Sequence, residues 1–132
     1  SLGFRFLGRE TRVSGIAPIL WDEDRKVDIA RIANATAKLL QCDLELSPSD
    51  ILSSDEYIGD RYGVLTQEGR DALKLVAETE GIFLDPVYTS KAMAGMIDQI
   101  RKGIITKNET VVFIHTGGLP ALFAYAEDLM LS

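Results

Sequence analysis

A single cysteine, Cys42, leaves no internal disulfide open to this chain. A lone thiol in an acidic sequence fits a reducing, cytosolic setting, and its plainest role is that of a small buried hydrophobe rather than a reactive group. Histidine is as scarce: His115 is the only one. It ends an apolar run, where a hydrogen-bonded structural role suits it better than that of a catalytic base. No spacing of His, Cys, Asp and Glu has the form that holds a metal ion, so no metal site is expected. Positive charge is also short. Fourteen Lys and Arg against twenty Asp and Glu leave a net charge of −6, with no electrostatic footprint for DNA, RNA or an anionic membrane. No apolar run is long enough to span a bilayer. The opening "SLGFRFLGRETRVSG" scatters arginines and has no apolar core, so it does not read as a signal peptide. There is no G-x-G-x-x-G fingerprint, no P-loop, no internal repeat and no low-complexity tract. What is present is 132 residues, 46% hydrophobic and 26% charged, the mix of a globular protein long enough to bury its own core. One α/β domain over residues 1–132 is the expectation.

Periodicity and turn residues divide the chain into alternating elements. "TRVSGIAPIL" (11–20) reads as a short strand running into a loop, broken by Gly15 and Pro18. In the helix that follows, Ile29, Ile32, Ala33, Thr36 and Leu40 fall on one face. Asp22, Glu23 and Asp24 crowd its start, where the helix dipole favours negative charge. Residues 44–63 are irregular, with "DIL" the only hint of a strand, and loops of such length are often functional. A second helix starts at Thr66 as N-cap and closes at Gly81. "IFLD" is short and extended or strand-like. A third helix runs from about Ser90 to Lys102, with Met93, Met96, Ile97 and Ile100 as its apolar face. "TVVFI" has the continuous β-branched look of a central parallel strand, and the glycine turn after it leads to a helix at Pro120.

That order implies an α/β layered fold with a mostly parallel sheet and flanking helices. Ligands bind such sheets beyond the carboxyl ends of the strands. Two turns sit there: the one after "IFLD", carrying Tyr88 and Thr89, and the one after "TVVFI", carrying Thr116, Gly117 and Gly118. Both offer hydroxyls and free backbone N–H groups, which suits a polar or anionic small ligand. Each feature also has a plain structural use: Asp85-Pro86 as a rigid helix entry, Thr89 and Ser90 as caps, the glycines as turn residues.

Taken in order, "EGIFLDPVYTSKAMAGMIDQIRKG" and "VVFIHTGGLPALFAY", with "RYG" upstream, resemble the C-terminal part of the pyridoxal-phosphate enzymes that include D-cysteine desulfhydrase and 1-aminocyclopropane-1-carboxylate deaminase. The resemblance covers nearly the whole chain. It implies part of the large domain of a tryptophan synthase β-like fold. It further implies that Tyr88 lies beside the cofactor ring and that Tyr62 reaches the substrate, both as catalytic residues. Thr116, Thr89 and Gly117 are then assigned to cofactor binding. The deaminases carry an acidic residue at the Thr89 position and leucine at the Thr116 position, whereas the desulfhydrase branch has hydroxyls at both. A neutral hydroxyl near the pyridine nitrogen supports its charge less than a carboxylate, which favours β-elimination over ring opening. Ser90 departs from the family, which has glycine there.

The resemblance also implies what this chain does not carry. The Schiff-base lysine of the family lies in an upstream Asn-Lys motif, and the phosphate loop precedes "LGFRFLG"; Lys91 matches a position with no such role. The expectation is therefore the C-terminal piece of a desulfhydrase-like lyase or deaminase, inactive alone. Pyridoxal phosphate belongs to the intact family and is not expected to be held by this chain by itself. The alternative is a stand-alone, non-catalytic α/β protein that self-associates or binds a partner. Partners expected on either reading are a second copy, docked over an exposed sheet face or edge, or an N-terminal half. Nucleic acid and membrane are not expected, and the setting is cytoplasmic.

Overall fold

The computed structural model of the chain describes residues 1–21 and 24–130. Asp22 and Glu23, two of the acids expected at a helix start, lie outside the described residues. Within the single domain anticipated for 1–132, the chain divides into two compact units: Ser1–Gly15 with Trp21–Ser54, and Ile16–Leu20 with Asp55–Ser132.

In the first unit, α1 is Leu2–Phe6, α2 is Arg25–Leu39 and β2 is Leu52–Ser54, and it holds Ser14 and Gly15 of β1, which is Ser14–Ile16. The two short strands pair with each other in one sheet. Asp24 caps α2, its carboxylate accepting the Lys26 N–H at 2.9 Å, and Asp28 adds charge in the first turn. The face of α2 that packs inward matches the expected one only at Ala33. Ile29, Ile32 and Leu40 are 37%, 56% and 62% exposed, while Ala30 and Ala37 are buried and Ala33 packs beside them. The reason is close approach. Small residues let the 46–51 segment sit on the helix, where Leu46 and Ile51 fill the space that larger side chains would occupy. Asn34 then grips that segment from both sides, donating Nδ2–H to the Leu46 carbonyl at 2.9 Å and accepting the Leu46 N–H at 2.8 Å. Cys42 is half-buried and free, rather than a core residue.

The second unit contains α3 (Gln67–Glu80), α4 (Thr89–Arg101), α5 (Ala121–Ala124) and α6 (Ala126–Met130). Thr66 Oγ1 accepts the Gly69 N–H at 3.1 Å, and Gly81 ends α3 at φ +66°, the left-handed conformation glycine adopts without a Cβ penalty. α3 and α4 pack through Ala72, Val76, Leu84, Met93 and Ala94, with Met96 and Ile97 at the margin. Burying side chains of the Val, Leu and Met class contributes about 1.5–3 kcal/mol each. This cluster fixes the start of α4, which is where the site residues lie.

Two expected strands, "IFLD" and "TVVFI", form no ladder among the described residues. An extended segment becomes a strand only when neighbours take up its N–H and C=O groups. Leu84 in the first is fully buried, so that segment is held by its side chain and not by pairing. In the second, Val112 and Ile114 are 81% and 74% exposed, and only Phe113 packs against the α3–α4 cluster. The segment has the composition of a buried strand and, among the described residues, the surroundings of an open edge. No helix among the described residues is long and apolar enough to cross a membrane.

Candidate active-site rim

The turn that begins α4 is organised by one buried carboxylate. Asp85 is fully buried, and its two oxygens accept four hydrogen bonds. Oδ1 takes the Thr89 N–H and the Thr89 hydroxyl, both at 2.7 Å. Oδ2 takes the Val87 and Tyr88 N–H groups, both at 2.8 Å. Burial pushes the Asp85 carboxyl up, but the hydrogen bonds from Thr89, Tyr88 and Val87 outweigh it and hold it below the usual aspartate value. The Thr89 hydroxyl also accepts the Asp85 N–H at 2.7 Å, so it is fully engaged inside the turn. Pro86 adds a fixed φ between these donors. From sequence this was a rigid helix entry; the carboxylate as the hub of the turn is the part that reading missed. The available signal was an Asp followed by Thr four residues on, at the mouth of an apolar helix.

The turn aims Tyr88 outward, where it meets Tyr62. The two hydroxyls are hydrogen-bonded to each other, with ring centroids 6.0 Å apart and planes tilted by 56°. The rings are 49% (Tyr62) and 44% (Tyr88) exposed. The hydrogen bond with Tyr62 raises the Tyr88 pKa above the ordinary tyrosine value, and burial and the Tyr62 and Asp85 charges add to it. Tyr62 is positioned from below by its neighbour Gly63, whose carbonyl accepts the Tyr125 hydroxyl at 2.5 Å.

The "HTGG" turn closes on the same place. The Gly117 N–H donates to His115 Nδ1 at 3.1 Å, so Nε2 carries the proton and donates to the Phe83 carbonyl at 2.8 Å. His115 is thus a brace between two extended segments. Gly118 has φ +90°, and a Cβ there would fall 2.7 Å from Asp85 Cγ. Glycine is required at that point because the main chain lies directly on the buried aspartate. Thr116 and Gly117 remain at the surface beside it, the Thr116 side chain exposed and Gly117 half-buried. Of the five residues singled out from sequence, Tyr62 and Tyr88 are brought into contact, Thr116 and Gly117 border the Asp85 turn, and Thr89 lies inside it.

Two buried side chains of α4 complete the picture. Lys91 is 1% exposed, and its Nζ donates to the Ile58 carbonyl at 2.5 Å; burial pushes its pKa below the ordinary lysine value. It ties α4 to the segment leading to Tyr62. Ser90 is fully buried and its hydroxyl has no hydrogen-bond partner. Among the described residues no three His, Cys, Asp or Glu side chains gather in a way that would hold a metal ion.

The model of the family described as pyridoxal-phosphate dependent enzyme matches residues 1–117. A relative from Methylobacterium nodulans named 1-aminocyclopropane-1-carboxylate deaminase is 41% identical over 124 residues, covering 94% of this chain and 37% of the relative. One of the same name from Rhizobium rhizogenes is 39% identical over 126 residues, covering 96% of this chain and 37% of its own length. A crystal structure described as that of an ACC deaminase homologue superimposes with a TM-score of 0.84 at 35% identity, over 98% of this chain and 38% of the other. The chain therefore spans a little over a third of the length of the proteins it matches.

Proposed function

This chain belongs to the pyridoxal-phosphate dependent enzymes, and on that premise we propose that it supplies the tyrosine-bearing wall of a D-cysteine desulfhydrase-like active site and is inactive by itself. Its fold is that of the matched ACC deaminase homologue, the α/β, tryptophan synthase β-like fold. The observation that carries the proposal is the Tyr62–Tyr88 pair. Twenty-six residues of sequence separate two phenols whose hydroxyls share a hydrogen bond at a surface. Such a pair can hold a proton at either oxygen and pass it to a group bound in front of it.

The residues present fit one side of a cofactor. Pyridoxal phosphate, when bound, supplies an electron sink for cleaving bonds around the substrate's α-carbon. Thr116 through its exposed hydroxyl, Gly117 through its main chain, and the exposed Tyr88 are the residues of this chain that would hold the ring. Thr89 serves the wall from inside, by fixing Asp85. D-cysteine is favoured over a cyclopropane substrate by the exposed neutral Thr116 hydroxyl, where the deaminases of the family carry leucine; Thr89, where they carry an acidic residue, has its hydroxyl buried and bonded to Asp85, so it puts no charge at the cofactor. Inactivity alone is supported by Lys91, the lysine nearest Tyr88 in sequence, whose Nζ is buried and donates to the Ile58 carbonyl. The same observation favours the second reading, a non-catalytic protein built on the family's fold. On both readings the exposed Val112 and Ile114 segment is covered by self-association or by an N-terminal half, and the half-buried free Cys42 suits a reducing, cytoplasmic setting.

The test is an absorbance titration of the purified chain with pyridoxal phosphate, followed by borohydride reduction and intact-mass analysis, with sulfide release from D-cysteine measured in parallel. No specific adduct and no sulfide is the expected result. One phosphopyridoxyl mass on a single lysine would overturn inactivity alone, and turnover of the cyclopropane amino acid without sulfide would overturn the substrate. Light scattering tests the association, and a monodisperse monomer that binds no apolar dye would end it.

A further inference from the structure

The segment that carries Tyr62 also walls an open cleft of ≈ 370 Å³, lined by Arg61, Gly63, Arg70, Tyr125 and Asp128 together with two aliphatic side chains. From the charges facing this cleft, we propose that it is a binding site for a small oxyanion, a carboxylate or phosphate group, separate from the tyrosine pair.

The argument rests on unmatched positive charge. The Arg61 guanidinium makes no hydrogen bond or ion pair with any described residue. Arg70 donates one N–H to the Asp128 main-chain carbonyl and has no carboxylate partner among the described residues, so most of its five donors remain open to a ligand. This occurs in a chain with twenty carboxylates and fourteen Lys and Arg, where a free arginine has acidic partners in excess. Arg5 and Arg31 each find one, Asp50 and Asp28. Neither arginine that lines this cleft has a carboxylate partner among the described residues, so an anion bound there would meet both charges uncompensated. Asp128 lines the cleft, but its carboxylate pairs with neither arginine, so the lining carries two positive charges against one negative. Guanidinium forks bind carboxylate and phosphate oxygens in pairs, which gives such an anion both affinity and orientation.

The cleft is also built rather than incidental. The Tyr125 hydroxyl holds the Gly63 carbonyl at 2.5 Å, and Arg70 holds the α6 main chain at Asp128, so both walls are cross-tied through residues that line the space. Its volume is at the small end of ligand sites, which suits a compact anion and not an extended cofactor. Because Arg61 and Gly63 flank Tyr62 in sequence, occupancy of the cleft would bear on the tyrosine's position. The proposal does not depend on whether the chain holds pyridoxal phosphate.

An NMR titration of the ¹⁵N-labelled chain tests it, with inorganic phosphate in one arm and succinate in the other, ionic strength being held constant with sodium chloride. The Gly63 and Val64 amides and the arginine Nε–H signals are expected to shift saturably in at least one arm, while Gly103 stays still. Saturation with phosphate alone would identify a phosphate ligand, and with succinate alone a carboxylate one. Arg61→Gln removes an exposed, unbonded side chain and should leave the circular dichroism spectrum unchanged while weakening binding at least tenfold. Arg61→Lys keeps the charge without the fork and should fall between. Linear shifts spread over the surface in both arms would overturn the proposal, as would a titration that Arg61→Gln leaves unchanged.

Discussion

Replacing Asp85 by asparagine removes one acceptor from a turn in which every contact to that side chain is a donor. The amide has two ways to sit. With its NH₂ in place of Oδ2 it faces the Val87 and Tyr88 N–H groups, and two buried donors lose their partner. With its NH₂ in place of Oδ1 it faces the Thr89 N–H and the Thr89 hydroxyl, and the hydroxyl can turn to accept from it. Either way two buried donors lose their acceptor, and the second orientation is preferred because the hydroxyl oxygen, while its own O–H and the Thr89 N–H go unpaired, still takes one N–H of the amide. Each orphaned buried donor costs about 1–3 kcal/mol, and the bonds that survive lose their charge-assisted strength, roughly 1 kcal/mol each. The amide's new bond and relief from burying a charge offset part of this. The expected loss is therefore about 2–4 kcal/mol, a large share of the ~5–15 kcal/mol typical of a domain. Urea unfolding followed by circular dichroism measures it. A loss under about 1 kcal/mol would refute the assignment of Asp85 as the hub of the turn.

The same variant carries a pH signature with a definite sign. Burial raises the Asp85 pKa, the Thr89, Tyr88 and Val87 hydrogen bonds lower it further than burial raises it, and the net position is below normal. A carboxylate whose folded pKa is depressed contributes stability that is fully present above its unfolded pKa, about 3.9, and is lost as pH falls through the folded value. The gap between the parent chain and Asp85→Asn should be flat from neutral pH down to about pH 5 and close below about pH 4. A gap that widens on acidification would contradict the hydrogen-bond argument.

Three further outcomes follow from the same geometry. Gly81→Ala and Gly118→Ala both place a Cβ at positive φ, but the first meets nothing within 4 Å and the second meets Asp85 Cγ at 2.7 Å. Gly81→Ala should cost about 1 kcal/mol and Gly118→Ala at least about 2 kcal/mol more in the same urea melts, and equal losses would show that Gly118 does not rest on Asp85. Ser90→Ala should stabilise the chain by about 1 kcal/mol, because it removes a buried hydroxyl without a partner and improves helix propensity; a loss of stability would mean that the hydroxyl is satisfied. Tyr62→Phe removes the largest cause of the raised Tyr88 pKa, so phenolate absorbance in an alkaline titration should show Tyr88 ionising at lower pH than in the parent. No change would place the two hydroxyls apart.

What could be read from sequence divides along a physical line. Features set by a residue and its near neighbours were legible: the Thr66 cap, the Gly81 stop, Asp24 at the start of α2, and the span of α4 to within a residue or so. These are satisfied by hydrogen bonds that reach six residues or fewer, so the signal lies within a short window. Features set by what arrives from elsewhere were not. Hydrophobicity alone put Ile29 and Ile32 inward, but the approach of Leu46 and Ile51 selected the alanine face of α2 instead. The tyrosine pair lies between these cases. No periodicity links Tyr62 to Tyr88, and it took a resemblance to a family to bring them together in advance, whereas Asp85, which aims Tyr88, was within reach of local turn chemistry. "TVVFI" is the sharpest example. Its β-branched composition encodes a central strand, yet Val112 and Ile114 are open to solvent because composition specifies a preference for pairing and a partner has to supply the pair. The same dependence reaches the site. The turn with Thr116 and Gly117 hangs from that unpaired segment, tied back by His115 to Phe83 and by the rest of Gly118 on Asp85. One of these two ties is the Asp85 turn itself, so a perturbation at Asp85 should loosen both walls of the proposed site together.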